Sequence, residues 1–452
     1  MAQNYKFRLP ASAIVALSFL IAVLVGTGLL CLPVATSSGG VDFLTAFFTA
    51  TSATCVTGLT VTPTFSHWSY FGQAVILLLI QFGGLGFITI ISIFFLYVKK
   101  HASLYQRKLV MQSAGSVNLE GIRSLVKYIL IGTFSFEFAG ALLLCVSFIP
   151  DMGWGMGIWQ AVFTSVSAFC NAGFTLTDAF GQDSLCAYVS DPLVMIVVCV
   201  LIVVGGIGFF VWGDVVKHKY RIKKYCFHSK IVLSTTAALI VAGWALFAVF
   251  EWNNAETIGG LDAGSKILAS LFMSVTPRTA GFNSVNVAGL TNSGSVLTTV
   301  FMFIGGSPGS TAGGLKTTTI AVLVFSAIAT SKRYTETHIF KKKFEDDAYP
   351  QAGVILMLYL AAAVISVLAI GAIESGAGNA LSTQAIVFEV VSASGTVGLS
   401  YGITAGLHVV SKLILILLMF IGRVGGFTFI LIFSNDKKPV KISRIAERIV
   451  IG

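Results

Sequence analysis

The chain has 452 residues, 56% of them hydrophobic and 11% charged, with a net charge of +10. A soluble domain carries about 25% charged residues, so this chain has too few to cover a water-facing surface, and its composition calls for a bilayer as solvent. The positive charge is concentrated in short segments between apolar runs, a topology signal, and no basic face interleaved with aromatics suggests a nucleic-acid partner. Seven scattered cysteines, an odd count without metal-ligand spacing, give neither a disulfide framework nor a zinc site.

In chain order, Lys6 and Arg8 precede an apolar stretch at about 11–32. It is long for a signal-peptide core and no A-x-A-like cleavage site follows, so it reads as a spanning helix. Further long stretches lie at about 72–98, 124–149, 193–213, 230–252, 296–327, 352–373 and 408–433, each near the roughly 20 residues a span requires. Between the members of successive pairs lie shorter apolar segments at 41–54, 157–169, 264–276 and 381–393. These are too short to span and read as re-entrant helices.

Each short segment ends in a glycine-bearing strip: TCVTGLT (54–60), CNAGFTL (170–176), RTAGFNS (278–284) and SGTVGLS (394–400). Their central glycines, Gly58, Gly173, Gly281 and Gly398, recur every 108–117 residues. A second glycine cluster follows each within the next long stretch: GGLGF (83–87), GGIGF (205–209), GGSPGSTAGG (305–314) and GRVGGF (422–427). Two landmarks held in register define an internal repeat. The expected fold is an all-α polytopic membrane protein of four tandem helix–pore loop–helix units around one central pore, with eight spanning helices and four re-entrant pore helices. The units divide as 11–98, 99–216, 217–330 and 331–434, with a terminus at 1–10 and a basic tail at 435–452.

The basic loops all follow an inner helix: Lys99, Lys100, Arg107, Lys108, Arg123 and Lys127; Lys217 to Lys230; Lys332 to Lys343; and Lys437 to Arg448. They share one side, which the positive-inside rule assigns to the cytoplasm together with both termini. The opposite side holds Asp42, Asp151, Asp178, Asp183, Asp191, Glu251, Glu256, Asp262 and Glu374, opposed only by Lys266 and Arg278. An acidic mouth of this kind concentrates cations.

A bare cation crosses hydrocarbon only by exchanging its water for fixed oxygens, which rings of backbone carbonyls provide. Glycine lets a strip turn its carbonyls inward. Four strips match a four-strand filter, with Cys55, Val56, Thr57 and Gly58, Cys170, Asn171, Ala172 and Gly173, Thr279, Ala280 and Gly281, and Thr396, Val397 and Gly398 as its residues. SGTVGLS is the closest to the potassium-channel signature TVGYG. Because the strips are unequal, fewer well-formed sites and weaker discrimination against sodium are expected.

Taken together, TCVTGLT, CNAGF, TPRTAGFNS, SGTVGLS, GGSPGSTAGGLKTT and GRVGGFTF resemble the Ktr/Trk/HKT superfamily of potassium transporters, from about residue 11 to 434. Trk-type subunits usually carry two further N-terminal helices, so the resemblance is closer to the Ktr membrane-subunit branch (KtrB). It implies a homodimer with one pore per protomer in a prokaryotic cell membrane. It also implies a cytosolic KtrA-type ring that binds ATP and ADP, and potassium as the transported ion, with sodium required in some members. No dinucleotide-binding unit and no organic cofactor is expected in the chain itself.

The segment Gly305, Gly306, Ser307, Pro308, Gly309, Ser310, Thr311, Ala312, Gly313, Gly314 cannot continue a helix, because each interior glycine costs up to about 1 kcal/mol and proline about 3. A break at membrane depth must line a cavity, and the resemblance makes it a gate below the filter. It is not a Walker A loop, since Leu315 separates Gly314 from Lys316. Arg423 lies within the fourth inner helix, where a charge faces a cavity or partner, and the resemblance places it beside the gate as barrier and anchor. Lys316 reads either as part of the gate or as a marker of the cytoplasmic half. Glu389 reads as structural, Glu137 stays open, and Arg278 reads as a brace bonded to carboxylates or carbonyls behind the filter. No enzyme motif occurs. The rivals are an alternating-access carrier built on broken helices and a membrane-embedded enzyme or non-conducting subunit.

Overall fold

In a computed structural model the described residues are 11–86, 122–177, 184–334, 337–345 and 347–425. Lys6, Arg8, the basic residues of 99–121, the end of the second long stretch, Asp178, Asp183 and the basic tail lie outside them.

Apolar residues dominate the helices on nearly every face, as expected where lipid and not water is the outer solvent. Among the described residues four helices are long and apolar enough to cross a membrane, or five if one bent pair counts as a single span. Helix α1 (Ala11–Leu30) leads to the short α2 (Phe43–Thr54), the one-turn α3 (Thr64–His67) and α4 (Tyr70–Leu85). Helix α5 (Ile122–Cys170) joins an outer and a short helix through a break at Gly153, whose φ of 76° lies outside the helical region. The chain continues in α6 (Pro192–Ile207) and α7 (Phe209–His218), then α8 (Phe227–Glu251) and α9 (Ala263–Val275). Next come α10 (Asn292–Phe303) and α11 (Thr317–Ser331), and finally α12 (Ala348–Gly376), α13 (Thr383–Gly395) and α14 (Val409–Val424).

The second inner segment is not the straight span that 193–213 suggests. Helices α6 and α7 bend by 96° at Gly208, where φ is +103°. The only sheet among the described residues is a two-residue hairpin, β1 (His338–Ile339) with β2 (Lys342–Lys343). Its antiparallel register pairs Ile339 with Lys342, and positive φ at Phe340 and Lys341 gives the type I′ geometry that suits strand twist.

The short helices start on side-chain caps. Asp42, Asp262 and Ser382 accept from amides of the first turns of α2, α9 and α13. Two buried carboxylates tie outer helices to inner ones. Glu251, at the end of α8, accepts from the amide and hydroxyl of Thr291 ahead of α10, and Glu374 in α12 accepts from the His408 amide ahead of α14. Both were expected to contribute to an acidic outer mouth. They are 3% and 1% exposed and serve as internal caps instead.

The buried apolar clusters form seams between neighbouring helix sets. One joins α1, α2 and α4 to α5 and α6 through Ile76, Phe148 and Phe163. Another joins α2 to α13 and α14 through Phe48, Val390 and Leu415, and a third joins α10 to α13 through Met302 and Phe388.

Candidate functional site

Helices α2, α5, α9 and α13 end at or just before the four glycine strips. Four C-terminal ends therefore face the strips, and each carries about half a negative charge.

The strips share one backbone pattern. Val56, Asn171, Thr279 and Thr396 have φ of 56°, 60°, 66° and 52°, and two residues later Gly58, Gly173, Gly281 and Gly398 have φ of 94°, 71°, 74° and 95°. The residues between them, Thr57, Ala172, Ala280 and Val397, have no positive φ. Alternation of this kind turns successive carbonyls toward one side, where an extended strand would point them to opposite sides. It is costly, because a left-handed L-residue loses about 1–2 kcal/mol and three of the four non-glycine positions are β-branched. Such conformations persist only where the surroundings over-determine them, and they cluster at functional sites.

The four glycines close a ring. A Cβ on Gly58 would stand 2.6 Å from the Ala172 carbonyl oxygen, and one on Gly173 would stand 2.8 Å from that of Ala280. On Gly281 it would collide with the Val397 oxygen and on Gly398 with the Thr57 oxygen, both still closer. Each strip thus packs its glycine against the carbonyl of the next, in the order one, two, three, four and back to one. On one side the ring opens into a cavity of about 310 Å³, lined by the four glycines together with Thr60, Thr175, Asn283, Ser400 and others.

The inner-helix glycines bring those helices against the ring's base. A Cβ on Gly83, Gly205 or Gly422 would strike the carbonyl oxygen of Thr54, Phe169 or Ser394. In the third set the chain leaves α10 at Phe303 and re-enters α11 at Thr317. The intervening segment lies against the base of the ring. Gly313 abuts the Thr396 side chain and Gly314 the Gly395 backbone, while Gly305 faces the Thr279 methyl. Thr311 Oγ1 donates to Phe169 O at 3.2 Å and lies 3.3 Å from Asn171 Oδ1. The segment also docks on the α6–α7 bend, where Ser307 N donates to Gly206 O at 3.0 Å and Phe209 N to Gly309 O at 2.9 Å. At the bend the Phe209 amide thus bonds the segment in place of a helical partner. Gly306 O accepts from Thr317 N at 3.0 Å, and the hydroxyls of Ser307 and Thr317 lie 3.1 Å apart.

Two cations hold the segment. Arg423 donates from one guanidinium nitrogen to Thr311 O and from another to Gly83 O, with Gly84 O at 3.4 Å. It therefore bridges α14, the segment and α4. Lys316 Nζ donates to Ala312 O at 2.8 Å and to Gly313 O at 3.3 Å. Pro308, Ser310 and Thr311 complete the turn, with Ser310 Oγ donating to Ser307 O at 2.6 Å.

The remaining charged positions stand behind the ring. Glu389 accepts from the hydroxyls of Ser400 and Thr404, while its Oε2 has no partner. Glu137 accepts from Gln81 Nε2 at 3.3 Å and lies 3.9 Å from Cys170 Sγ. Arg278 does not bond the expected carboxylates or carbonyls: its Nη2 donates to the Thr236 hydroxyl at 3.4 Å, and its Nε has no partner. Among the described residues no group of three His, Cys, Asp or Glu side chains is placed to hold a metal.

Sequence reading passed over the serines six residues ahead of the strip glycines. Ser52 and Ser392 Oγ accept the N–H of Gly58 and Gly398 at 3.1 and 3.0 Å. The signal was readable, since Ser52, Ser167 and Ser392 recur in register.

Residues 2–441 match the TrkH family model, described as a cation transport protein. The chain is 39% identical, over its whole length and 99% of the relative's, to the potassium/sodium uptake protein NtpJ of Enterococcus hirae. It is 37% identical to the Ktr system potassium uptake protein B of Bacillus subtilis, covering 95% of this chain and 94% of that one. The crystal structure of the potassium transporter TrkH from Vibrio parahaemolyticus superposes with a TM-score of 0.73 at 19% identity, over 96% of this chain and 87% of that one.

Proposed function

Since the chain belongs to the TrkH family of cation transport proteins, multi-pass membrane proteins that move ions and are not enzymes, we propose that it is a potassium uptake subunit conducting through the ring of four strips. The observation that carries this reading is the closed order of glycines, each lying against the next strip's carbonyl. Carbonyls turned to one side replace the water shell of a cation, and four helix C-termini favour positive charge beside them. The names of the relatives, potassium uptake protein B and potassium/sodium uptake protein, supply potassium as the ion and sodium as a second one.

The finer reading has eight spans and four re-entrant helices around one pore. The ring selects, and the 305–314 segment gates from beneath, held by Lys316 and Arg423. Flow is passive down the electrochemical gradient. The chain pairs as a homodimer in a prokaryotic cell membrane with its termini in the cytoplasm, where a KtrA-type nucleotide-binding ring docks.

The test is rubidium-86 uptake into liposomes bearing the purified protein, against a potassium or a sodium competitor. Gly281→Ser puts a Cβ against the Val397 oxygen, and we expect the preference for potassium to fall about tenfold, since overpacking costs roughly 1–3 kcal/mol. Deleting 306–313 should raise flux. An unchanged preference in Gly281→Ser rejects the ring as the selecting element. Saturation at low rate with an obligatory counter-ion would favour an alternating-access carrier, for which the broken α10–α11 helix is the supporting feature.

A further inference from the structure

Among the four strips, the hydroxyl support of the glycines is unequal. Ser52 and Ser392, both fully buried, each hold two successive amides. Their backbone oxygens accept Thr57 N and Val397 N at 2.8 Å, and their hydroxyls accept Gly58 N and Gly398 N. Ser167 occupies the same position ahead of Gly173 and its backbone oxygen accepts Ala172 N at 2.8 Å, yet its buried hydroxyl has no hydrogen-bond partner. In the third strip the position is Val275, which has no hydroxyl. There Ala280 N and Gly281 N both donate to Thr276 O, at 3.0 and 3.3 Å, and Thr276 Oγ1 donates to Phe282 O.

The consequence follows from the planarity of the peptide unit. The N–H of Gly58 and the carbonyl of Thr57 belong to one plane and point in opposite directions. A hydroxyl that fixes the N–H outward therefore fixes the carbonyl on the other side. The same holds for Gly398 and the Val397 carbonyl. These are the oxygens against which Gly398 and Gly281 pack. The Ala280 carbonyl is held more loosely, through the Gly281 N–H donated to Thr276 O at 3.3 Å, and the Ala172 carbonyl has no hydroxyl lock because Ser167 Oγ has no partner. Strips four and one are neighbours in the ring, so the locked carbonyls form one contiguous half.

We propose that the hydroxyls of Ser52 and Ser392 are specificity-determining positioning groups: they hold two of four ring carbonyls at fixed orientation, and strip two, whose serine hydroxyl has no partner, adapts to the ion. The inference rests on the reading of the ring as the selecting element. A rotated carbonyl gives up the spacing that favours the larger cation and can follow a smaller one inward, so loss of a lock admits sodium.

The test measures potassium and sodium uptake separately in liposomes for Ser52→Ala, Ser392→Ala, Ser167→Ala and Ser52→Thr. The expected result is a potassium-to-sodium ratio about fivefold lower in each of the first two variants, the ratio that one ordinary hydrogen bond supports. Ser167→Ala should leave it unchanged, and Ser52→Thr, which keeps the hydroxyl, should retain the wild-type value. If an alanine variant does not insert stably, cysteine at the same position keeps the volume with a weak acceptor and is read the same way. An unchanged ratio in both alanine variants, or an equal fall in Ser167→Ala, overturns the inference. Gly281→Ser in the same assay separates the two levels. If it alters the ratio and the serine variants do not, only the lock is lost; if nothing alters it, the ring itself is not the selecting element.

Discussion

Asp262 shows how single residues set the frame of the ring. Its carboxylate caps α9, accepting from the amides of Gly264 and Ser265 and from the Ser265 hydroxyl at 2.6 Å. The hydrogen bonds from Ser265, side chain first, hold this carboxyl below its ordinary value. A depressed value in the folded state stabilises above the ordinary carboxylate range, and that contribution is lost as pH falls through the folded value. The melting temperature should therefore drop on acidification. Asp262→Asn still caps a helix and should remove that part of the pH dependence, as thermal unfolding at several pH values would reveal. Other residues carry strain in place of charge: Val56, Thr279 and Thr396 adopt a left-handed backbone that their branched side chains disfavour. The glycines two residues on were conspicuous in the sequence because only glycine fits there cheaply. The strained partners were not, since nothing about a valine or threonine announces a positive φ.

At the scale of elements, the segment between α10 and α11 is the part with most dependence on its neighbours. Its backbone is satisfied by Gly205, Gly206 and Phe209 on one side and Gly422 on another. Arg423 fastens it to α4. A hydrogen bond to a charged group contributes about 1.5–3 kcal/mol. Arg423→Ala should release the segment and raise potassium flux roughly tenfold or more, while Arg423→Lys, a point donor in place of a fork, should fall between. Equal flux in wild type and Arg423→Ala would remove the arginine from the gate. That the helix cannot continue through GGSPGSTAGG was legible from glycine and proline alone. The bend of α6–α7 was not. GGIGF does not say where the chain turns beyond Gly208, and Phe209 takes its partner from a segment about a hundred residues away. The same limit applied to Glu251 and Glu374, which read as surface acids. A carboxylate's burial depends on whether an inner-helix start lies within reach, and no local pattern encodes that.

For the whole molecule, the proposed orientation puts the connection between α7 and α8 in the cytoplasm with its lysines. Cys226 lies there and is exposed. In a variant retaining Cys226 as its sole cysteine, a membrane-impermeant maleimide should label opened cells or inside-out vesicles and leave intact cells unlabelled. Labelling of intact cells would reverse the topology. The seams between helix sets matter at this scale as well. The first three sets share one buried cluster, which includes Ile76, Phe163 and Phe272, and two further clusters join the fourth set to the third and to the first.

The sequence by itself determined the solvent, the approximate helices, the places where strips must begin and the register that relates them. Each of these follows from local chemistry: hydropathy over about 20 residues, glycine's access to positive φ and the repetition of both. Only the tertiary structure decided the order of the strips round the ring, the docking of 305–314 against its base, the bridge made by Arg423 and which strip glycines a serine hydroxyl holds. These depend on which carbonyl meets which amide across separations of about a hundred residues or more, as when Gly281 meets Val397 and Gly398 meets Thr57. Such pairings are fixed by packing, and hydropathy and spacing do not specify them.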